Sequence, residues 1–273
     1  LSQWRHLFER VDYADDIWLD IFDIYGVEVF LSNVDIISGI KLQASVLYNY
    51  EVRAALERSD LSEKTIIVNI SGLEISAAQD VVLYFEKKFN KVVVQFGFQS
   101  YPTKVEDTGL CKIPVLKGAF PYSELCIADH ADAETDFAKN IPIYGAIIGC
   151  DYIEKHACLD RKKAKYDGFS ALTFEELASV CEGIKEAFSA MGSRFVSEAE
   201  KEYLAKSIQV PVLKHDIKAG GLVGEQDVIY RRTSQKGLNA EEIQQLQKRG
   251  RVIANPISKH SALAEKDFRK ANV

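Results

Sequence analysis

The sequence predicts an α/β fold built from consecutive strand–helix units, of the kind that closes into a (β/α) barrel. Six short apolar runs recur at intervals of roughly 25–30 residues, and the near-continuous valine and isoleucine among them is typical of strands buried on both faces of a parallel sheet. Amphipathic helical patterns fill most of the intervals, as expected when a helix follows each strand. The last two runs end in polar clusters that contain histidine.

The elements can be assigned in order along the chain. Residues 1–14 are predicted to form a helix, because Trp4, Leu7, Phe8 and Val11 recur at helical spacing. Long helical patterns also cover 75–89 and 174–191. The six strand candidates lie near 17–22 and at 39–45, 65–71, 91–99, 125–130 and 151–156.

A closed barrel of this type needs eight strand–helix units. The sequence contains six, so we expect the first two units to be missing, either preceding Leu1 or lost. An open, doubly wound sheet is the alternative. No Gly-x-Gly-x-x-Gly follows any strand, which disfavours a dinucleotide-binding form of that fold.

Composition narrows the class of protein. The chain is 47% hydrophobic and 27% charged with a net charge of −6, which disfavours nucleic acid and anionic membranes as main partners. No apolar run reaches the ~20 residues needed to span a bilayer. The five cysteines include no Cys-x-x-Cys pair, so they indicate reduced thiols and a cytoplasmic location.

The character of the chain changes after Gly192. We assign 1–194 to the barrel-type domain, 195–206 to a polar linker or connecting helix, and 207–273 to a small β module. Within the module, residues 212–228 resemble residues 252–268 at an offset of 40, with Asp227 matching Asp267. This repeat predicts two copies related by a pseudo-twofold axis.

His130 and His156 end two consecutive predicted strands. The carboxyl ends of neighbouring parallel strands meet at one edge of a sheet, so both imidazoles are expected to face one cavity. Neutral imidazoles so placed suit a divalent metal, and Asp129 and Glu154 lie close by in the sequence. A loop histidine that only makes hydrogen bonds is the alternative for each.

Several longer motifs accompany the histidines, and together they resemble the sialic acid synthase family, whose members make N-acetylneuraminate and related nonulosonic acids. The tail resembles that family's antifreeze-like (SAF) domain. The motifs are Ile-Lys-Leu-Gln-Ala-Ser at 40–45, Ser-Tyr-Pro at 100–102, Ala-Asp-His at 128–130, Glu-Lys-His at 154–156, Asp-Ile-Lys-Ala-Gly-Gly at 216–221, Glu-Gln-Asp at 225–227 and Arg-Arg-Thr at 231–233.

The resemblance implies a (β/α)8 TIM-type barrel followed by a β-clip SAF domain. It implies a transferase that condenses phosphoenolpyruvate with an N-acetylhexosamine such as N-acetylmannosamine and releases phosphate. It further implies a divalent metal cofactor, manganese or magnesium, and a domain-swapped homodimer.

The family's site residues carry over by position. His130 and His156 correspond to the metal ligands, and Lys41 and Asp167 to catalytic residues that also bind phosphoenolpyruvate and the sugar, respectively. Arg232, with Arg231 as the alternative, corresponds to an arginine that reaches the partner subunit's active site. The remaining substrate-binding positions are Ser45, Ser71, Gln99 and Tyr101.

Several positions depart from the family pattern, and two of them bear directly on phosphoenolpyruvate and on the attacking water. Ala44 stands where the family has a serine that binds phosphoenolpyruvate, and Val46 stands where it has a glutamate that handles the attacking water. If Val46 has replaced that base, Val46→Glu is expected to raise turnover. These departures leave an alternative function: a catalytically impaired relative that acts as a binding or regulatory subunit in surface-polysaccharide biosynthesis.

Overall fold

The computed structural model describes residues 1–11, 16–192 and 194–271. The chain divides into two compact units, Leu1–Met191 and Gly192–Val273. Each unit has its own hydrophobic core.

The first unit is organised around a six-stranded sheet. All neighbouring strands are parallel, and their spatial order is their order along the chain. The six predicted strands are therefore confirmed. The alternative of a doubly wound sheet is wrong, because in such a sheet the spatial order of the strands reverses direction partway along the chain. The strands are β1 (Trp18–Ile21), β2 (Gly39–Leu42), β3 (Thr65–Asn69), β4 (Lys91–Phe96), β5 (Glu124–Asp129) and β6 (Tyr152–Lys155).

The sheet is strongly curled. Lys41 Nζ on β2 lies 2.9 Å from a carboxylate oxygen of Glu154 on β6. Four strand spacings separate β2 from β6, which in a flat sheet would amount to about 19 Å, roughly twice what the two side chains can span. The sheet must therefore bend like part of a barrel wall, with Lys41 and Glu154 on its concave face.

Helices follow the strands, and the apolar core lies against the convex face. Side chains alternate along each strand, so Ile40 and Leu42 enter the core while Lys41 faces the other way. The predicted helix at 174–191 is confirmed, and the one at 75–89 ends earlier, at Glu86. The helices are α1 (Ser2–Phe8), α2 (Ile24–Leu31), α3 (Tyr50–Glu57), α4 (Ile75–Glu86), α5 (Lys112–Ala119), α6 (Asp136–Ile148) and α7 (Phe174–Met191).

The helix predicted over 1–14 is shorter in the structure and ends at Phe8, in a turn closed by the Val11 N–H donating to the Phe8 carbonyl at 3.1 Å. Residues 12–14 of that prediction lie outside the described ranges. After β6 the chain forms the short parallel pair β7 (Ala157–Cys158) and β8 (Leu172–Thr173). This pair returns the loop between them to the carboxyl edge of the sheet.

The second unit contains two antiparallel strand pairs. Its first helix, α8, overlaps the predicted linker and is stabilised by a capping box between Ser197 and Glu200. Its second helix, α9, was not predicted, although Asn239 and Glu242 form the same kind of cap. The elements are α8 (Glu198–Ser207), β9 (Gln209–Leu213), β10 (Val228–Arg232), α9 (Ala240–Lys248), β11 (Arg251–Ile253) and β12 (Phe268–Lys270).

Backbone hydrogen bonds confirm the predicted pseudo-twofold relation between the two copies. The Gly220 N–H donates to the Ile253 carbonyl, and the His260 N–H, 40 residues on, donates to the Leu213 carbonyl, both at 2.8 Å. Gly220 and His260 also share a left-handed backbone conformation, with φ of 84° and 69°. His260 therefore adopts a backbone conformation that favours glycine, and glycine is the residue at the equivalent position of the first copy, Gly220.

Across the described ranges, no helix combines the length and the apolar character required to cross a membrane.

Candidate active site

The concave face of the sheet carries charged side chains where a purely structural sheet would carry apolar ones. Lys41 Nζ lies 2.8 Å from Asp20 Oδ2 and 2.9 and 3.0 Å from the two carboxylate oxygens of Glu154. Only 10% of the Lys41 side chain is exposed, against 30% for each carboxylate. One cation is thus held between two anions inside the curl of the sheet.

Hydrogen bonds extend this cluster across neighbouring strands. Gln95 Nε2 donates to Glu154 at 2.9 Å, and Asn69 Nδ2 donates to Gln95 Oε1 at 2.9 Å. On the other side, Gln43 Nε2 donates to Asp20 at 2.8 Å and Gln43 Oε1 accepts from Gln99. Buried polar groups satisfied in this way hold their neighbours in a fixed geometry.

The ionisation of the cluster follows from burial and charge. Burial opposes the charged form of Lys41, but the carboxylates of Glu154 and Asp20 outweigh it and raise the pKa of Lys41. Burial also opposes ionised Glu154, yet Lys41 lowers the pKa of that carboxyl. For Asp20 the desolvation is larger than the effect of Lys41, so its pKa is raised.

His130 and His156 lie side by side at the ends of β5 and β6, as predicted. Their ring centroids are 5.3 Å apart. Metal–nitrogen bonds are only about 2 Å long, so two imidazoles that hold one ion must lie almost in contact, with ring centroids roughly 5 Å apart. The spacing therefore fits two ligands of a single ion.

Each histidine keeps one ring nitrogen available. His130 Nδ1 donates to the Phe98 carbonyl at 3.2 Å, since a carbonyl can only accept, and this leaves Nε2 with its lone pair. Burial lowers the pKa of His130, which favours the neutral, ligating form. His156 Nδ1 lies 3.8 Å from Asp167 Oδ2, so its Nε2 is also free of that contact.

A buried ion pair fixes the two strand ends that carry the histidines. Asp129 and Lys155 are register partners on β5 and β6, and Lys155 Nζ lies 2.5 Å from Asp129 Oδ2. Their side chains are only 1% and 3% exposed. Because each immediately precedes a histidine, the pair sets the separation of His130 and His156.

The side chains around the two histidines determine which metal ion could bind there. Among the described residues, no three His, Cys, Asp or Glu side chains are grouped so as to hold an ion. The protein therefore offers two imidazoles, and oxygen atoms of water or substrate would complete the shell. Imidazole donors are typical of transition-metal ions, whereas magnesium prefers oxygen ligands, so the pair suits a transition ion better than magnesium.

Tyr101 and Asp167 complete the group around the histidines. The Tyr101 ring centroid lies 4.6 Å from that of His130 and 5.9 Å from that of His156. The Tyr101 hydroxyl is 3.4 Å from His130 Nε2. Asp167 lies in the loop between β7 and β8 with φ of 55°, an uncommon conformation for a residue other than glycine.

A polar cleft of about 580 Å³ adjoins this group and includes Asp167 in its wall. Tyr166 and Phe169 line it and are 74% and 73% exposed. Lys162 and Lys165 also contribute to the lining. Aromatic faces beside charged groups can bind a molecule that has both apolar and polar surfaces, as a sugar has.

The other sequence-derived candidates lie at different places. Ser71 Oγ donates to the Gly97 carbonyl at 2.6 Å and accepts from the Gly97 N–H at 3.0 Å, so it links the ends of β3 and β4. Ser45 is exposed in the turn after β2, and Gln99 contacts Gln43. Arg232 ends β10, in the second unit, and is exposed.

Sequence reasoning did not assign the groups that hold Lys41. They are polar residues within otherwise apolar strands, and strand parity places each on the concave face. This alternation was the sequence signal that could have identified them. These residues are Asp20, Gln43, Asn69, Gln95 and Glu154.

The sheet and the position of the site define the class of protein. It is an α/β protein of the TIM-barrel type, with the candidate site residues at the carboxyl ends of its parallel strands. The chain belongs to the NeuB family, whose model matches residues 30–195, more than half of its length. The family identified from the sequence motifs is thereby confirmed.

Individual relatives agree with this assignment. Over 191 residues the chain is 31% identical to pseudaminic acid synthase of Campylobacter jejuni strain 81-176, covering 68% of this chain and 52% of that protein. A candidate spore coat polysaccharide biosynthesis protein E from Chromobacterium violaceum shares the fold with a TM-score of 0.73 at 17% identity, over 98% of this chain and 77% of the other. The chain spans about half the length of the curated relatives it matches.

An N-acetylneuraminic acid (sialic acid) synthetase from Leptospira borgpetersenii, solved in complex with citrate, also shares the fold. Its TM-score is 0.58 at 20% identity, over 68% of this chain and 62% of that one. Likeness at this level of identity supports the barrel-type architecture of the first unit.

Proposed function

We propose that this chain acts as a nonulosonic (sialic-type) acid synthase, which condenses phosphoenolpyruvate with an N-acetylhexosamine such as N-acetylmannosamine and releases phosphate. The observation that carries the proposal is the paired histidines beside Tyr101 and Asp167, at the carboxyl edge of the sheet in a NeuB-family chain. Its relative from Campylobacter jejuni is named for a synthase of this kind.

The reaction joins the methylene carbon of phosphoenolpyruvate to the aldehyde carbon of the sugar, and the aldehyde oxygen takes up a proton. Water adds to the phosphate-bearing carbon, and the carbon–oxygen bond to phosphate breaks, which leaves a ketone and inorganic phosphate. His130 and His156 would hold a manganese or magnesium ion, which when bound supplies polarisation of the aldehyde oxygen.

The chain's own residues have distinct roles in this proposal. Lys41 attracts the anionic groups of phosphoenolpyruvate. Asp167, next to His156, accepts or returns a proton at the sugar, and Tyr101 contacts the sugar. The polar cleft with its exposed aromatic rings receives the remainder of the sugar. Ser45, Ser71 and Gln99 lie on the loops expected to border phosphoenolpyruvate.

Assembly is part of the proposal. The second unit acts as an SAF-type domain, and Arg232 of one chain enters the site of a second copy in a homodimer in the cytoplasm. The support is the resemblance of the tail motifs, together with the repeat that organises the second unit.

The test is phosphate release from phosphoenolpyruvate with a panel of N-acetylhexosamines, with and without Mn²⁺. Wild-type protein should release phosphate only when both a sugar acceptor and the metal are present. His156→Ala should abolish release while His6→Ala, an exposed change, should retain it. Failure of every sugar, with folded and metal-loaded protein, would contradict the enzyme proposal.

A second candidate function is a binding or regulatory subunit with impaired catalysis. The observation that favours it is Val46, which is 5% exposed and packs in the apolar core, so no carboxylate serves the attacking water from that position. In that case the chain would bind an N-acetylhexosamine in calorimetry and release no phosphate.

A further inference from the structure

We infer that Asp20 is a competing counter-ion, whose carboxylate occupies Lys41 and opposes there the binding of the anionic group of an incoming ligand. This inference deepens the proposed function and rests on it, since it concerns the residue proposed to attract phosphoenolpyruvate. Asp20 and Lys41 are register partners on β1 and β2, so the contact is set by the strand pairing.

The ammonium group of Lys41 is saturated. It has three N–H donors, and the three carboxylate oxygens within 3.0 Å are Asp20 Oδ2 and both oxygens of Glu154. A phosphate or carboxylate oxygen that reaches Lys41 must therefore displace one of them. The two existing partners also bring two negative charges against one positive charge, so the ionised cluster has a net charge of −1.

Repulsion is strong at this place because little water screens it. The Lys41 side chain is 10% exposed, and both carboxylates are mostly covered. Charges a few ångströms apart interact several times more strongly in such surroundings than in bulk water. An anion approaching Lys41 thus loses much of the attraction that an unpaired lysine would give.

Asp20 is the partner that can be neutralised with least disturbance. Asn has the same shape as Asp, and its Oδ1 can still accept from Gln43 Nε2, which lies 2.8 Å from the Asp20 carboxylate. Glu154, in contrast, meets Lys41 through both oxygens and also accepts from Gln95. Asp20→Asn should leave a Lys41–Glu154 cluster with no net charge.

The experiment measures binding of inorganic phosphate and of phosphoenolpyruvate to the full chain by calorimetry. Asp20→Asn should bind phosphate about tenfold or more tightly than wild type. The gain should vanish in Asp20→Asn/Lys41→Met, because there is then no cation to release. Asp35→Asn is the matched control, since it removes a carboxylate paired with Arg5 on the exposed surface and should change neither affinity.

Each result decides between support and rejection. Unchanged or weaker phosphate binding by folded Asp20→Asn overturns the inference, as does a gain that persists without Lys41. Tighter phosphate binding with no phosphoenolpyruvate binding by any variant supports the inference and rejects the proposed substrate. If Asp20→Asn does not fold, Asp20→Ser repeats the measurement. If neither neutral variant folds, Asp20 is structural and the inference is overturned.

Discussion

The ability of the two histidines to bind a metal ion depends on which ring nitrogen of each carries a lone pair. His130 Nδ1 donates to the Phe98 carbonyl, which leaves the Nε2 lone pair facing the Tyr101 hydroxyl at 3.4 Å. Such a partner fixes the tautomer and the ring orientation of a metal ligand. The ring spacing of 5.3 Å fits the single shared ion of the proposed function.

Replacing either histidine should therefore weaken metal binding. We expect His130→Ala and His156→Ala each to lower Mn²⁺ affinity by about 100-fold, because one of two protein ligands is lost. Electron paramagnetic resonance of free Mn²⁺ would measure the change, with His6→Ala as the surface control. Equal affinity in all variants would show that the pair holds no metal.

Val46 is a residue whose predicted role changes once its surroundings in the structure are known. The sequence led us to expect that Val46→Glu restores a catalytic base. The side chain instead packs in the apolar core and is 5% exposed, so a carboxylate there would be buried without a partner.

We now expect Val46→Glu to destabilise the protein by about 2–5 kcal/mol and to leave turnover no higher. Urea unfolding would measure this, with Val105→Glu as control because Val105 is 60% exposed. Equal midpoints for the two variants would mean that position 46 opens to solvent.

At the scale of elements, the pairing of β5 with β6 determines the site. The buried Asp129–Lys155 pair joins these strands one residue before each histidine. A buried pair adds little net stability compared with apolar groups, but an unpartnered charge left behind is costly.

Asp129→Ala should thus destabilise the fold by about 3–5 kcal/mol, since Lys155 would remain buried alone. The double variant Asp129→Leu/Lys155→Met should recover much of that loss. Asp136→Ala removes an exposed partner of Lys139 and should cost less than about 1 kcal/mol in the same urea unfolding experiment. A single variant as stable as this control would contradict a buried role for the pair.

The repeat in the second unit gives a prediction about backbone conformation. Gly220 has φ of 84°, so Gly220→Ala should cost about 1 kcal/mol. Gly118 lies within α5 with open space around its Cα, so Gly118→Ala should stabilise by about 0.4–1 kcal/mol. Thermal unfolding of both variants should show shifts of opposite sign, and shifts of the same sign would contradict the assigned conformations.

Elements whose patterns are local were predictable from the sequence. The short apolar runs located all six strands, but the predicted ends at Ser45, Ser71 and Gln99 extend past the strand pairing. These polar residues continue the alternation of polar and apolar side chains along each strand. Their backbone, however, already belongs to the loops at the carboxyl edge of the sheet. Helix α9 was missed because its two capping residues were not recognised as a cap.

At the scale of the whole molecule, the sheet's curl was the unpredictable feature. Lys41 and Glu154 are 113 residues apart, and no local pattern brings them together. Their contact exists because the four successive strand pairings from β2 to β6 bend in one direction. The histidines were predictable since adjacent strands carry them, whereas the counter-ions of Lys41 required the global geometry.

The proposed assembly allows a test at the same scale. If Arg232 of one chain completes the site of its partner, two inactive variants should complement each other. His156→Ala supplies an intact arginine, and Arg232→Ala supplies an intact histidine pair. In an equal mixture half of the dimers are mixed, and each contains one complete site, so roughly a quarter of wild-type phosphate release should return.

Each variant alone should remain inactive under the same conditions, and sedimentation should show a dimer before and after mixing. Exchange of subunits can be followed with differently tagged chains, so that absence of recovery is interpretable. Mixed dimers without activity would place Arg232 in the site of its own chain. A clean monomer of about 31 kDa at micromolar concentration would reject the shared site altogether, because no partner would be present to supply the arginine.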